Sequence, residues 1–122
     1  MHMVHHNADT DRYAVLSVFF EYEDLPGRKA EAPAMAEFWS RLAATTGLTE
    51  AVDLSLLVNL SSPVATWDGS FTTPPCTEGV SWIQQIQIQT VSEAKVKQFF
   101  AQVGYPGDAR PTQELNGRVI QY

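Results

Sequence analysis

Gly69-Ser70-Phe71-Thr72-Thr73-Pro74-Pro75-Cys76-Thr77-Glu78-Gly79-Val80-Ser81-Trp82 is a turn-rich run that passes directly into an alternating strand. From Val80 to Val91 apolar residues and glutamines alternate at period 2. This places Val80, Trp82, Ile86 and Ile88 mostly on one face and predicts a half-buried strand. Upstream, Asn59 to Gly79 is dense in Ser, Thr, Pro and Gly and reads as ordered loop. A structureless loop of that length inside a compact domain is usually functional. Thr72-Thr73-Pro74-Pro75 by itself reads as a structural turn that admits a cis bond between the prolines.

Working outward, Met1 to His6 and Tyr13 to Tyr22 are rich in Val, Phe, Tyr and Leu, and Asn7 to Asp11 between them is turn-forming. They predict two strands joined as a hairpin. Pro33 suits the first turn of a helix over Ala32 to Thr46 with Gly47 as its stop, and Met35, Phe38, Trp39 and Leu42 recur at helical spacing toward a core. Val52 to Val58 has strand-like composition. Ser92 is the expected cap of a helix to Val103, with Val96, Phe99 and Phe100 on its buried side and Gly104 as its stop. A short terminal strand is expected around Arg118 to Gln121. Strands and helices mixed without regular alternation indicate an α+β domain, taken as one unit over residues 1–122.

At 122 residues, 44% apolar and 18% charged, the chain matches a globular domain with one core. The net charge of −6, with no cluster of Lys or Arg, argues against a nucleic-acid partner. The longest apolar runs, such as Tyr13 to Phe20, fall far short of the roughly 20 residues a spanning helix needs. Met1-His2-Met3-Val4-His5 reads as mid-strand sequence, so a start further upstream is expected.

The run from Gly69 to Trp82 closely resembles the Gly-Ser-Leu-Thr-Thr-Pro-Pro-Cys loop and following strand of alpha-class carbonic anhydrases. Three further pieces resemble the same family in the same order: Met1 to Asn7, Tyr13 to Phe19, and Arg110 to Arg118. The resemblance implies a mainly antiparallel central sheet with short peripheral helices, of which this chain is the C-terminal portion, incomplete on the N-terminal side. It implies reversible hydration of carbon dioxide to bicarbonate and a proton. The family is itself the type example of a catalytic Zn2+ held by three histidines and a water. His2 matches the third of those ligands. Thr72 matches the threonine whose hydroxyl accepts a hydrogen bond from the zinc-bound hydroxide and donates to a buried glutamate. Its backbone N–H lies where it can stabilise negative charge developing on a carbon dioxide oxygen. Thr73 lines the same pocket, and Val4, Val15, Phe71, Val80 and Trp82 match its apolar wall. Phe71 stands where the family usually has Leu, a bulkier ring expected to narrow the pocket. Ser17 replaces a usual Gly, Asp108 a usual Asn and Glu114 a usual Pro.

The histidines do not make a metal site by themselves. On a strand, His2 and His6 share a face about 13 Å apart while His5 points the other way, and zinc needs nitrogens near 2 Å. Nothing in the chain matches the family's His-x-His strand, its buried glutamate, the glutamate that orients the third ligand, or its proton-shuttling histidine. The expectation is therefore a zinc enzyme when complete and a 122-residue chain that holds zinc weakly and is inactive alone. An N-terminal fragment or assembly partner is expected to cover an open sheet edge. The alternative is a non-catalytic, carbonic-anhydrase-related scaffold or subunit of a larger assembly. Cys76 is the only cysteine. In secreted members of the family the cysteine at this point bridges to one near the beginning of the protein, which hints at a secreted, periplasmic or organelle-lumen setting.

Overall fold

The computed structural model describes residues 1–44, 53–59, 61–104 and 109–122. Two compact units interleave along the chain, one built from Met1–Val18, Ser61–Gln87 and Gly107–Tyr122, the other from Phe19–Leu60 and Ile88–Pro106. No single point in the sequence separates them.

The first unit is a four-stranded sheet of β1 (His2–Asn7), β2 (Arg12–Ser17), β4 (Val64–Ser70) and β5 (Glu78–Gln85), in the order β1-β2-β5-β4. β1–β2 and β4–β5 are antiparallel and β2–β5 is parallel, so the sheet is mainly antiparallel as expected. The predicted hairpin is present: Asn7 Oδ1 accepts from the N–H groups of Asp9 and Thr10 and closes the turn. Met1 and Val18 exchange both backbone hydrogen bonds, at 2.8 and 3.0 Å. That phase points the N–H and C=O groups of Met3 and His5 at β2, and those of His2, Val4 and His6 away from it. Among the described residues no strand pairs with this outer edge of β1.

The segment read as one long loop contains a seven-residue strand, β4. Its Ser, Thr, Gly and Asp content hides the alternation, but Val64 to Trp67 suit a pleated surface and β5 supplies a full ladder of partners. The loop between β4 and β5 is residues 71–77. At the other end, the expected terminal strand is a single bridge between Gln121 and Thr66, following a turn at Asn116-Gly117.

The second unit holds β3 (Phe20–Tyr22) parallel to β6 (Gln89–Val91), α1 (Pro33–Ala44), a 3₁₀ turn at Leu54–Leu57 and α2 (Glu93–Val103). Two strands expected to be continuous are therefore broken. Tyr13 to Tyr22 divides after Ser17, and Val80 to Val91 divides after Gln85, because the chain leaves one sheet for the other at both places. The break corrects the facing of Ile86 and Ile88, which are exposed, while Gln84 takes the next position on the face of Val80 and Trp82. Period-2 alternation carries no mark of a change of sheet.

Met35, Phe38 and Trp39 are buried as α1 predicted, and Trp39 packs edge-on against Phe20, Phe38 and Phe99. Pro33 opens the helix. Gly47, its expected stop, lies outside the described residues. The expected strand over 52–58 is corrected to the 3₁₀ turn, whose N-cap Asp53 accepts from the Ser55 N–H and competes with an extended chain. In α2, Val96 is buried but Phe100 is exposed, and Gly104 ends the helix in the left-handed region at φ 66°.

Ser92 occupies the N-cap of α2 without making a side-chain cap bond. Glu31, from a distant part of the chain, binds the backbone of the cap residue itself: its Oε1 accepts from the Ser92 N–H at 3.1 Å and its Oε2 contacts Lys95 Nζ. The Glu31 side chain is only 6% exposed, so both contacts are charge-assisted and shielded from water. Glu31→Ala is expected to cost about 1.5–3 kcal/mol. Urea unfolding of the full chain, followed by circular dichroism, checks this; an unchanged midpoint would assign the stability of α2 to its apolar face alone.

Candidate active site

Strand register decides which side chains meet. Residues paired across neighbouring strands project to the same face of a sheet. His2 pairs with Ser17, Val4 with Val15, Val15 with Trp82, Tyr13 with Val80, and Trp82 with Trp67. One face therefore carries His2, Val4, Val15, Val80 and Trp82 together. Val15, Val80 and Trp82 form a buried cluster against which Tyr13, Trp67 and Phe71 pack. The His2 ring meets Trp82 edge-on with centroids 4.8 Å apart, and Tyr13 meets Phe71 in the same manner at 5.0 Å. Val4 lies on this face but is 58% exposed.

The Thr72 loop is attached at one end of this wall. The Trp82 Nε1–H donates to the Ser70 carbonyl at 3.0 Å in a buried position. The Phe71 N–H donates to Thr77 O at 3.0 Å and closes the loop, and the Cys76 N–H donates to Thr73 O at 2.9 Å inside it. The Pro74–Pro75 bond is cis, as the sequence allowed. Thr72 is half-buried and Thr73 exposed. Two contacts thus lead from the His2 ring through the Trp82 indole to Ser70, two residues before Thr72. Cys76 is half-buried, a free thiol with a left-handed backbone at φ 59°.

His6 shares the face of His2 but turns to its own hairpin, where it stacks on Tyr13 at 4.3 Å and its Nε2 lies 2.9 Å from Asp11 Oδ1. His5 lies on the opposite face. Among the described residues no group of three or more His, Cys, Asp or Glu is arranged to hold a metal ion. Zinc in a catalytic site takes three protein donors. The described residues do not by themselves fit a three-donor zinc site.

Sequence reasoning missed four members of this surface. Tyr13 sits two residues before Val15, so strand alternation alone places it on the wall. Trp67 and Gly69 fell in the segment read as loop. Arg110 belongs to a matched piece but carried no role, and its Nη1 lies 2.6 Å from Ser70 Oγ.

A sequence model of the family described as eukaryotic-type carbonic anhydrase matches residues 1–122. A carbonic anhydrase of Klebsiella pneumoniae is 33% identical over 124 residues, covering 98% of this chain and 47% of that protein. Among solved structures, an alpha-carbonic anhydrase of Photobacterium profundum is 31% identical with a TM-score of 0.75, covering 98% of this chain and 52% of its own. Carbonic anhydrase Cah3 of Chlamydomonas reinhardtii, solved with acetazolamide, is 29% identical with a TM-score of 0.77 over 99% of this chain and 55% of its own. The chain spans about half the length of the curated relatives it matches.

Gly69 lets the two indoles of the wall stack. A Cβ added there would lie 3.0 Å from Trp82 Cδ1, 3.2 Å from Trp82 Nε1 and 3.3 Å from Trp67 Nε1. Trp82 is held by its bond to Ser70 and by its stack on Trp67, so it has no free direction in which to yield. Gly69→Ala is expected to destabilise the chain by about 1–3 kcal/mol and to weaken the near-ultraviolet circular dichroism of the tryptophan pair. Thermal unfolding with that signal checks it; a variant as stable as the parent with its indole signal intact would show that the stack has slack.

Proposed function

Since the chain belongs to the eukaryotic-type carbonic anhydrase family, we propose that it supplies the pocket half of a centre that hydrates carbon dioxide to bicarbonate. The family is zinc-dependent. In this reading His2 is one protein donor to the metal, and the other donors come from outside these 122 residues.

The reaction joins a water oxygen to the carbon of a non-polar gas, leaving negative charge on the substrate oxygens and releasing a proton. Val4, Val15, Phe71, Val80 and Trp82 form an apolar wall on which the gas sits without competition from ordered water. Thr73 lines the mouth of that pocket. The Thr72 hydroxyl accepts a hydrogen bond from the attacking oxygen and orients its lone pair, and the Thr72 N–H faces the charge that develops on the substrate. The single observation that supports this reading best is the common face of His2 and the Val15–Val80–Trp82 cluster, tied by Trp82 to the base of the Thr72 loop. We further propose that the outward N–H and C=O groups of His2, Val4 and His6 are covered by a preceding segment or an assembly partner.

The test has two arms. Purified alone, the 122-residue chain is expected to carry little zinc by plasma metal analysis and to show no hydration in stopped flow; stoichiometric zinc with turnover would overturn the division of donors. Fused behind the N-terminal half of the Klebsiella pneumoniae relative, it is expected to bind one zinc and turn over. There His2→Ala should strip the metal, and Thr72→Ala should lower kcat on the order of 10²-fold with zinc retained. A folded, zinc-loaded fusion without turnover would favour the non-catalytic scaffold.

A further inference from the structure

Arg110 lies far from Ser70 in sequence, yet its Nη1 reaches the Ser70 hydroxyl at 2.6 Å. A guanidinium only donates, so Ser70 Oγ accepts this bond and its one proton remains for another acceptor. That acceptor is the Phe71 carbonyl, at 3.0 Å. The Phe71 carbonyl and the Thr72 N–H are the two ends of one peptide group. A fixed positive charge is therefore relayed through a single hydroxyl onto the peptide whose N–H belongs to Thr72.

We propose that Arg110 is a positioning residue, acting through Ser70 to orient the Phe71–Thr72 peptide and to strengthen its N–H as a donor to a substrate oxygen. The inference rests on the reading of the Thr72 loop as the carbon dioxide pocket.

Resonance couples the two ends of an amide, so a hydrogen bond accepted at the carbonyl withdraws electron density from the N–H. Chains of hydrogen bonds polarise one another in this way, and more so away from water. Ser70 is only 8% exposed. The relay starts from an ion, which makes its first bond stronger than a neutral one. The Thr72 N–H makes no hydrogen bond among the described residues, so the donor that the relay strengthens is left for a ligand. The peptide is also held in orientation. Trp82 Nε1–H fixes the Ser70 carbonyl, Phe71 N–H is bound to Thr77 O, and the register shift between Gly69 and Ser70 re-aims the chain as it leaves the sheet. Arg110 and Ser70 add a further constraint, on the carbonyl side.

The competing explanation is that Arg110 only ties the segment 109–122 to the sheet. Nuclear magnetic resonance on the full chain separates the two, because the Phe71 carbonyl 13C and Thr72 amide 15N shifts report directly on the bond at that peptide. Arg110→Met and Ser70→Ala are each expected to move both resonances upfield and to speed amide exchange within 71–77 roughly tenfold. The double variant should do no more than either single one. Arg110→Lys should recover most of the shift, since an ammonium still donates to Ser70. If Arg110→Met unfolds the chain, Ser70→Ala, which keeps the arginine, carries the test. Unmoved Phe71 and Thr72 resonances, with changes confined to 109–122, would overturn the proposal. None of these readouts involves carbon dioxide, so an inactive fusion protein with an intact relay would sink the pocket reading alone.

Discussion

The Trp82 indole holds the proposed pocket together. Its ring is one-third of the buried cluster with Val15 and Val80, its edge meets His2, its face stacks on Trp67, and its N–H reaches the carbonyl at which the Thr72 loop begins. Without that N–H the Ser70 carbonyl would be buried without its bond, which costs more than the bond itself contributes. The close approach of Gly69 is the other half of the same constraint, because a Cβ there would crowd both indoles at 3.0–3.3 Å. Wall, His2 and loop are thus referred to one side chain on a central strand.

A second constraint is topological. β2 and β5 run parallel, and a parallel pair needs a long crossover between its members. Here the crossover contains α1, the 3₁₀ turn and β4, and part of it belongs to the second unit. The chain leaves the four-stranded sheet after both β2 and β5 to make the parallel pair β3–β6. That double departure explains why two apparently continuous strands are each divided and why Ile86 and Ile88 are exposed. Nothing in Tyr13–Tyr22 or Val80–Val91 marks the point of transfer, because alternation is indifferent to which neighbour a strand pairs with.

Electrostatics follow the same pattern of distant partners. Glu31 and Ser92 are separated by 61 positions and Ser70 and Arg110 by 40, yet each pair acts on groups at the start of a helix or a loop. Ser92 was legible as a cap position from its place before Glu93, but the group that satisfies its N–H was not. The group that binds the Ser92 N–H is chosen by folding, which brings the buried Glu31 carboxylate between Lys95 and the start of α2.

The amino-acid sequence by itself determined the α+β class, the β1–β2 hairpin, the apolar side of α1 and the family, because each is written in neighbouring residues: turn formers, spacing, or an ordered motif. Only the tertiary structure decided that β4 is a strand, that Trp67 joins the wall, and that Arg110 meets Ser70. Those outcomes depend on ladder partners and on contacts between residues tens of positions apart, and short-range pattern holds no information about which distant surface will exclude water from which side chain.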